Sequence, residues 1–105
     1  MKRRIYRQGD VLLFQVESLP ESAEESNTDS DRIVLAYGEV AGHAHAVAAA
    51  QCRLFADQEI RFLQVGNEGS NLVHEEHATI VLDPGVYRIV HQREYVPNSQ
   101  RLVVD

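Results

Sequence analysis

The chain has 105 residues, of which 44% are hydrophobic, and it carries a formal net charge of −6. This length fits one domain spanning 1–105, and the lack of a long apolar run excludes a transmembrane helix. No apolar run with a cleavage site follows the basic start of the chain. We therefore expect no secretion signal and a cytoplasmic location, in a protein of bacterial or phage type.

The negative charge is concentrated in the segment 17–31, which contains six acidic residues and no basic one. Outside it, ten acidic residues balance ten basic ones. Its content of Ser, Glu, Asn and Asp predicts a flexible acidic loop that cannot pack a core. The basic N-terminus is not accompanied by an aromatic-rich basic face, so nucleic acid is disfavoured as a partner, and no membrane partner is expected.

Short runs of apolar and β-branched residues recur along the chain, and each predicts a strand. After a turn at Gly9 and Asp10, the first run has Leu12, Phe14 and Val16 on one face. The predicted strands are 11–16, 33–37, 53–56, 60–65, 78–82, 86–95 and 101–105, with 72–73 as a shorter extended piece.

Two further signals complete the prediction of the fold. The alanine-rich segment 45–50 leaves a strand and a short helix open, because alanine favours helix but the run is too short to hold one alone. Asp83, Pro84 and Gly85 form a strong turn signal, since proline presets φ and glycine tolerates positive φ. The chain is therefore predicted to be all-β, a small barrel or sandwich of about eight short strands.

Four of the five histidines lie in two short segments, 38–45 (GEVAGHAH) and 74–77 (HEEH). Histidine is the commonest side-chain ligand of borderline transition metals and also an acid or base near pH 7. Glu39, His43 and His45 have the same parity, so a regular strand would place them on one face and alanines on the other. This pattern predicts an open face lined by metal ligands.

The second histidine segment has a less regular spacing. His74 and His77 would point to opposite faces of a strand but could converge in a turn. Glu75 and Glu76 could ligate a metal, orient a ligand imidazole or act as a general base. We predict a site for zinc, iron, nickel or manganese with the ligands His43, His45 and His77, with His74 as the alternate, and with Glu39, Glu75 or Glu76 completing it.

A structural interpretation of the histidines stands beside this one. Exposed histidines cluster by chance, and buried ones often only hydrogen-bond a backbone carbonyl. The fifth histidine, His91, is predicted in a strand that has Tyr87 and Ile89 on the same face.

Four motifs together resemble a family of small, uncharacterised bacterial and phage proteins. They are YRQGDVLL at 6–13, GEVAGHAH at 38–45, HEEH at 74–77, and PGVYR at 84–88 with QREY at 92–95. The resemblance covers nearly the whole chain and implies a compact single domain, with no activity attached to it.

The pair His43 and His45 also resembles the His-x-His pair of the cupins. These are small β-barrels that hold a metal with such a pair, a nearby glutamate and a later histidine, so the resemblance implies metal ligation by the pair. Residues 46–51 (AVAAAQ) stand where the cupin glutamate would follow, and 84–85 and His91 depart from the spacing of the second cupin motif.

These observations predict a small metal-binding β-protein with a histidine and carboxylate site. They leave open whether it is also an enzyme, for which the hypothesis is a metal-dependent hydrolase acting on an unidentified small molecule. The alternative is a non-catalytic binding or assembly module, with a protein partner or a second copy of the chain, whose histidines are structural or interfacial. Metal content and oligomeric state distinguish the two.

Overall fold

The computed structural model describes residues 3–28, 30–38 and 40–92. These residues form ten strands and one short 3-10 helix, so the all-β prediction is confirmed. Nowhere in this part of the chain does a helix have the length and apolar character needed to cross a membrane. The strands are β1 Ile5–Gln8, β2 Val11–Val16, β3 Glu24–Glu25, β4 Arg32–Tyr37, β5 Ala44–Ala48, β6 Cys52–Asp57, β7 Ile60–Val65, β8 Ser70–Leu72, β9 Ile80–Leu82 and β10 Gly85–His91.

The strands form two layers. Six of them make an antiparallel sheet in the order β1-β2-β10-β7-β6-β3, which is open at both edges and not closed into a barrel. The pairs β4-β5 and β8-β9 lie in the second layer. Ala46 and Val73 connect these two pairs by donating and accepting backbone hydrogen bonds of 3.0 and 2.9 Å.

The hydrophobic core lies between the layers and takes residues from both. In β2 the fully buried residues are Val11 and Leu13, whereas Leu12, Phe14 and Val16 share the opposite, partly exposed face. The buried residues that pack together in the core are Leu13, Ile33, Leu35, Val47, Cys52, Leu63, Val65, Leu72, Leu82, Tyr87 and Ile89. Alternation along β2, β8 and β10 produces an apolar inner face, whereas β5 is buried on both faces.

Several elements differ from the sequence prediction. β1 was not predicted, because its four residues include only two large apolar side chains in a basic context. β3 lies within the segment 17–31 and pairs with β6; the flexibility of that segment stays a prediction. The segment 45–50 combines both alternatives, since β5 is followed by the 3-10 helix Ala49–Gln51. Residues 93–105, with the predicted strand 101–105, lie outside the described residues.

The strand register brings Gln8, Asp10 and His91 close together at one end of the molecule. Gln8 pairs with Val11 across the two-residue turn between β1 and β2, and His91 pairs with Val11 on the other side of β2. The backbone of Gln92 donates a hydrogen bond of 2.7 Å to the carbonyl of Asp10. The β1-β2 turn and the end of β10 are therefore held side by side.

Candidate metal centre

The two histidine segments meet in space. The paired backbone hydrogen bonds between Ala46 and Val73 align β5 with the end of β8. His45 and His74 are the chain neighbours of these two residues, and their ring centroids lie 4.3 Å apart. His77 follows in a bend, with its ring 4.7 Å from that of His74. The irregular spacing of the second segment is thus accommodated outside a strand, where its imidazoles converge.

A tight turn positions His43 at the entrance to the cluster. The backbone N–H of His43 donates a hydrogen bond of 3.0 Å to the carbonyl of Val40. Gly42 has a φ of 86°, which the third position of a type II turn requires and which glycine adopts without strain. The turn places the His43 ring edge-on to His74, with ring centroids 5.7 Å apart.

The ligand atoms of His43, His74 and Glu75 all lie within 4.8 Å of one another, and we call these three residues the outer cluster. The two histidines are partly buried and Glu75 is exposed. The backbone N–H of Ala44 donates a hydrogen bond of 2.9 Å to Glu75 Oε1. This hydrogen bond is the largest cause that lowers the pKa of Glu75, so the carboxylate is ionised at neutral pH.

Glu76 lies on the rim of the outer cluster. Its carboxylate Oε2 is 3.6 Å from His43 Nδ1. Its backbone N–H donates a hydrogen bond of 3.0 Å to His74 Nδ1, so the neutral His74 ring carries its proton on Nε2. His74 can therefore bind a metal if its ring turns, or if Nδ1 gives up this hydrogen bond and binds the metal instead.

Gln8 organises the buried side of the centre. This side chain is only 2% exposed. Its Nε2 donates hydrogen bonds of 3.0 Å to the carbonyls of Leu72 and Ala78, which can only accept. The two carbonyls use both amide hydrogens, so they fix the orientation of the amide and direct Oε1 toward His45.

The orientation of Gln8 fixes the tautomer of His45. Gln8 Oε1 lies 2.8 Å from His45 Nδ1. Because an amide oxygen has no proton to donate, Nδ1 must carry the hydrogen, and the lone pair of the neutral ring is on Nε2. Burial, reinforced by the neighbouring His74, lowers the pKa of His45 to about 4, which outweighs the opposing effect of Asp10. At neutral pH His45 is therefore an uncharged ring with a free Nε2.

Asp10 lies between two imidazoles. Its Oδ1 is 3.6 Å from His45 Nε2, and its Oδ2 is 3.1 Å from His91 Nε2, at hydrogen-bonding distance. Burial alone would raise the pKa of Asp10, but the charge and the hydrogen bond of His91 lower it below its usual value. Asp10 is thus a carboxylate whose orientation is set by His91.

Gly9 allows the rings to close over the β1-β2 turn. Its φ of 60° is the positive value that the first central residue of a two-residue hairpin turn adopts. A Cβ at this position would lie 2.8 Å from His77 Nε2 and 3.3 Å from His45 Cε1. Any other residue would therefore press on these two rings.

The structure brings the predicted side chains of both segments together and differs from the prediction in detail. His45 does not line an open face, because both faces of β5 are covered and the residue is 2% exposed. The candidate ligand Glu39 lies outside the described residues. Sequence reasoning assigned no role to Gln8 and Asp10. Their only signal in the sequence is their position on either side of Gly9, in the motif at 6–13.

The fold and the site define a small antiparallel β-protein with a cluster of histidines and carboxylates at one end. The chain belongs to the family described as "Domain of unknown function (DUF8820)", whose model matches residues 7–92. No significant match was found among curated proteins or among solved structures. The predicted membership of a small uncharacterised family is confirmed, whereas neither the family match nor the open sheet supports the cupin likeness.

Proposed function

We propose that this protein binds a divalent transition metal, one of zinc, iron, nickel and manganese, between its two histidine segments. The observation that carries the proposal is the outer cluster, in which two imidazoles and an ionised carboxylate have ligand atoms within 4.8 Å of one another. Imidazole nitrogen with carboxylate oxygen is a ligand set that suits these metals.

The geometry of the outer cluster is close to that of a metal site. Two ligand atoms of a tetrahedral zinc ion lie roughly 3.4 Å apart, because each bond is about 2.0–2.2 Å long. The ligand atoms, which lie within 4.8 Å of one another, therefore need to approach by up to about 1.4 Å. Glu75 is exposed and His43 and His74 are only partly buried, so small side-chain rotations can supply this movement.

We expect chelator-stripped protein to bind zinc in a calorimetric titration, and His43→Ala or Glu75→Gln to weaken this binding at least tenfold. The reason is that each change removes one of three protein ligands. Glu68→Gln is the matched control, since Glu68 is an exposed glutamate in the turn between β7 and β8. Wild-type protein that takes up none of the four metals, or equal zinc affinity in all four proteins, would contradict the proposal.

We further propose metal-assisted hydrolysis as the chemistry of the same site. Three protein ligands leave coordination positions for water, as they do in catalytic zinc sites. A bound zinc ion supplies the activated water, and Glu76, an exposed carboxylate beside His43, is the residue that we assign as general base.

In a zinc-dependent assay with an activated ester, we expect Glu76→Gln to lower kcat at least tenfold while zinc affinity changes less than threefold. If Glu76 only orients His43, the zinc affinity falls instead and kcat at saturating zinc is kept. An absence of turnover above that of free zinc would remove the hydrolase assignment and leave metal binding as the function.

A further inference from the structure

We propose that Asp10 and His45 hold a second divalent metal ion, with His77 as a third ligand and His91 as the residue that positions Asp10. We call Asp10 and His45 the inner pair. None of these residues belongs to the outer cluster, so the inference can be tested independently of the proposed function.

The inner pair carries two lone pairs that face each other. Gln8 holds the hydrogen of His45 on Nδ1, which leaves Nε2 with its lone pair toward Asp10 Oδ1. Asp10 is in hydrogen-bonding contact with His91 through its other oxygen, Oδ2, so Oδ1 is the oxygen that faces His45. The 3.6 Å between these atoms exceeds the length of a hydrogen bond, about 3.2 Å at most, but is close to the roughly 3.4 Å that separates two ligands of a tetrahedral zinc ion.

The supporting residues resemble those around established metal ligands. A ligating histidine usually donates its other ring N–H to an oxygen, as His45 does to Gln8. Ligating carboxylates are themselves hydrogen-bonded, as Asp10 is to His91 at 3.1 Å. His45 is 2% exposed, so its free nitrogen is a buried polar atom directed at the carboxylate.

A third ligand is close to the inner pair. The ring of His77 stacks on that of His45 with centroids 5.7 Å apart, and its Nε2 lies over the backbone of Gly9. His77 is exposed, so its ring can rotate toward the ion. Two nitrogens and one oxygen would then leave a position open for solvent or for a ligand shared with the outer cluster.

Zinc stoichiometry, measured by titration of chelator-stripped full-length protein and by elemental analysis after gel filtration, tests this inference. We expect two equivalents in the wild type, one in Asp10→Asn and one in His43→Ala. Asp10→Asn preserves shape at a half-exposed side chain, and its fold is checked by circular dichroism. His91→Gln should weaken only the second equivalent, by about ten- to a hundredfold, because it acts through Asp10.

The variants separate the two claims. One equivalent in the wild type that survives Asp10→Asn but not His43→Ala overturns the inner pair and leaves the proposed function intact. One equivalent that survives His43→Ala but not Asp10→Asn supports the inner pair and overturns the outer cluster. Binding that neither substitution changes, or no binding at all, overturns both. His77→Ala provides a second test where a folded Asp10→Asn is not obtained, and should weaken the same equivalent at least tenfold.

Discussion

Gln8→Leu should lower the free energy of unfolding by about 4 kcal/mol, because it removes the hydrogen bonds of three buried or partly buried polar groups, at roughly 1–3 kcal/mol each. These groups are the carbonyls of Leu72 and Ala78 and the Nδ1–H of His45. Leucine fills a similar volume, so the effect reports the hydrogen bonds rather than a cavity. Urea denaturation of metal-free protein measures it.

The matched control is Gln15→Leu, because the Oε1 of Gln15 accepts its hydrogen bond from the backbone of Arg4 in an exposed position. We expect this control to cost less than about 1 kcal/mol. A Gln8→Leu protein as stable as the control would contradict the role given to Gln8. Nitrogen NMR of the imidazoles supplies a second readout, since the wild type should show His45 protonated on Nδ1 at neutral pH.

Acid should destabilise the metal-free protein between pH 6.5 and pH 4 through His45. The folded ring has a pKa of about 4, below the ordinary value of 6.5, because burial disfavours its charged form. In this range the unfolded chain binds a proton that the folded chain does not, so the free energy of unfolding falls as the pH falls. A shift of this size corresponds to about 3 kcal/mol over the whole interval.

His45→Asn tests the assignment of this pH dependence, since asparagine keeps an amide donor near Gln8 but does not titrate. The variant should be less stable at pH 7 and should lose most of the slope between pH 6.5 and pH 4. The pKa of Asp10 is lowered in the folded protein, so Asp10 stabilises the fold at pH values above its ordinary pKa. This contribution is lost at lower pH and adds to the acid destabilisation. An unchanged slope in His45→Asn would show that other groups carry the pH dependence.

The fold was largely predictable from local patterns. The boundaries of β2 and β7 are those that the apolar runs predict, because alternation is a local property of the sequence. β1 was missed and β8 was only partly predicted, since their short, polar sequences carry little strand signal of their own and become strands by pairing with β2 and β9. β1 exists because β2 offers it an edge across the two-residue turn, which the apolar pattern of β1 alone does not show.

The site was predictable in its residue types but not in its connections. The pattern of the two segments identified His43, His45, His74 and Glu75 as candidates. Their meeting depends on the backbone pairing of residues 46 and 73, which are 27 positions apart in the sequence. Gln8 and Asp10 act through buried hydrogen bonds and through a carboxylate between two rings. These roles depend on tertiary contacts that single residues in a sequence do not reveal.

The most direct test of the central claim is the metal content of tag-free protein purified without chelator, for the wild type and for His43→Ala combined with His74→Ala. The proposal predicts near-stoichiometric zinc, iron, nickel or manganese in the wild type, and the loss of at least one equivalent in a double variant that remains folded. A folded wild type that contains no metal and takes up none of these four ions would contradict it.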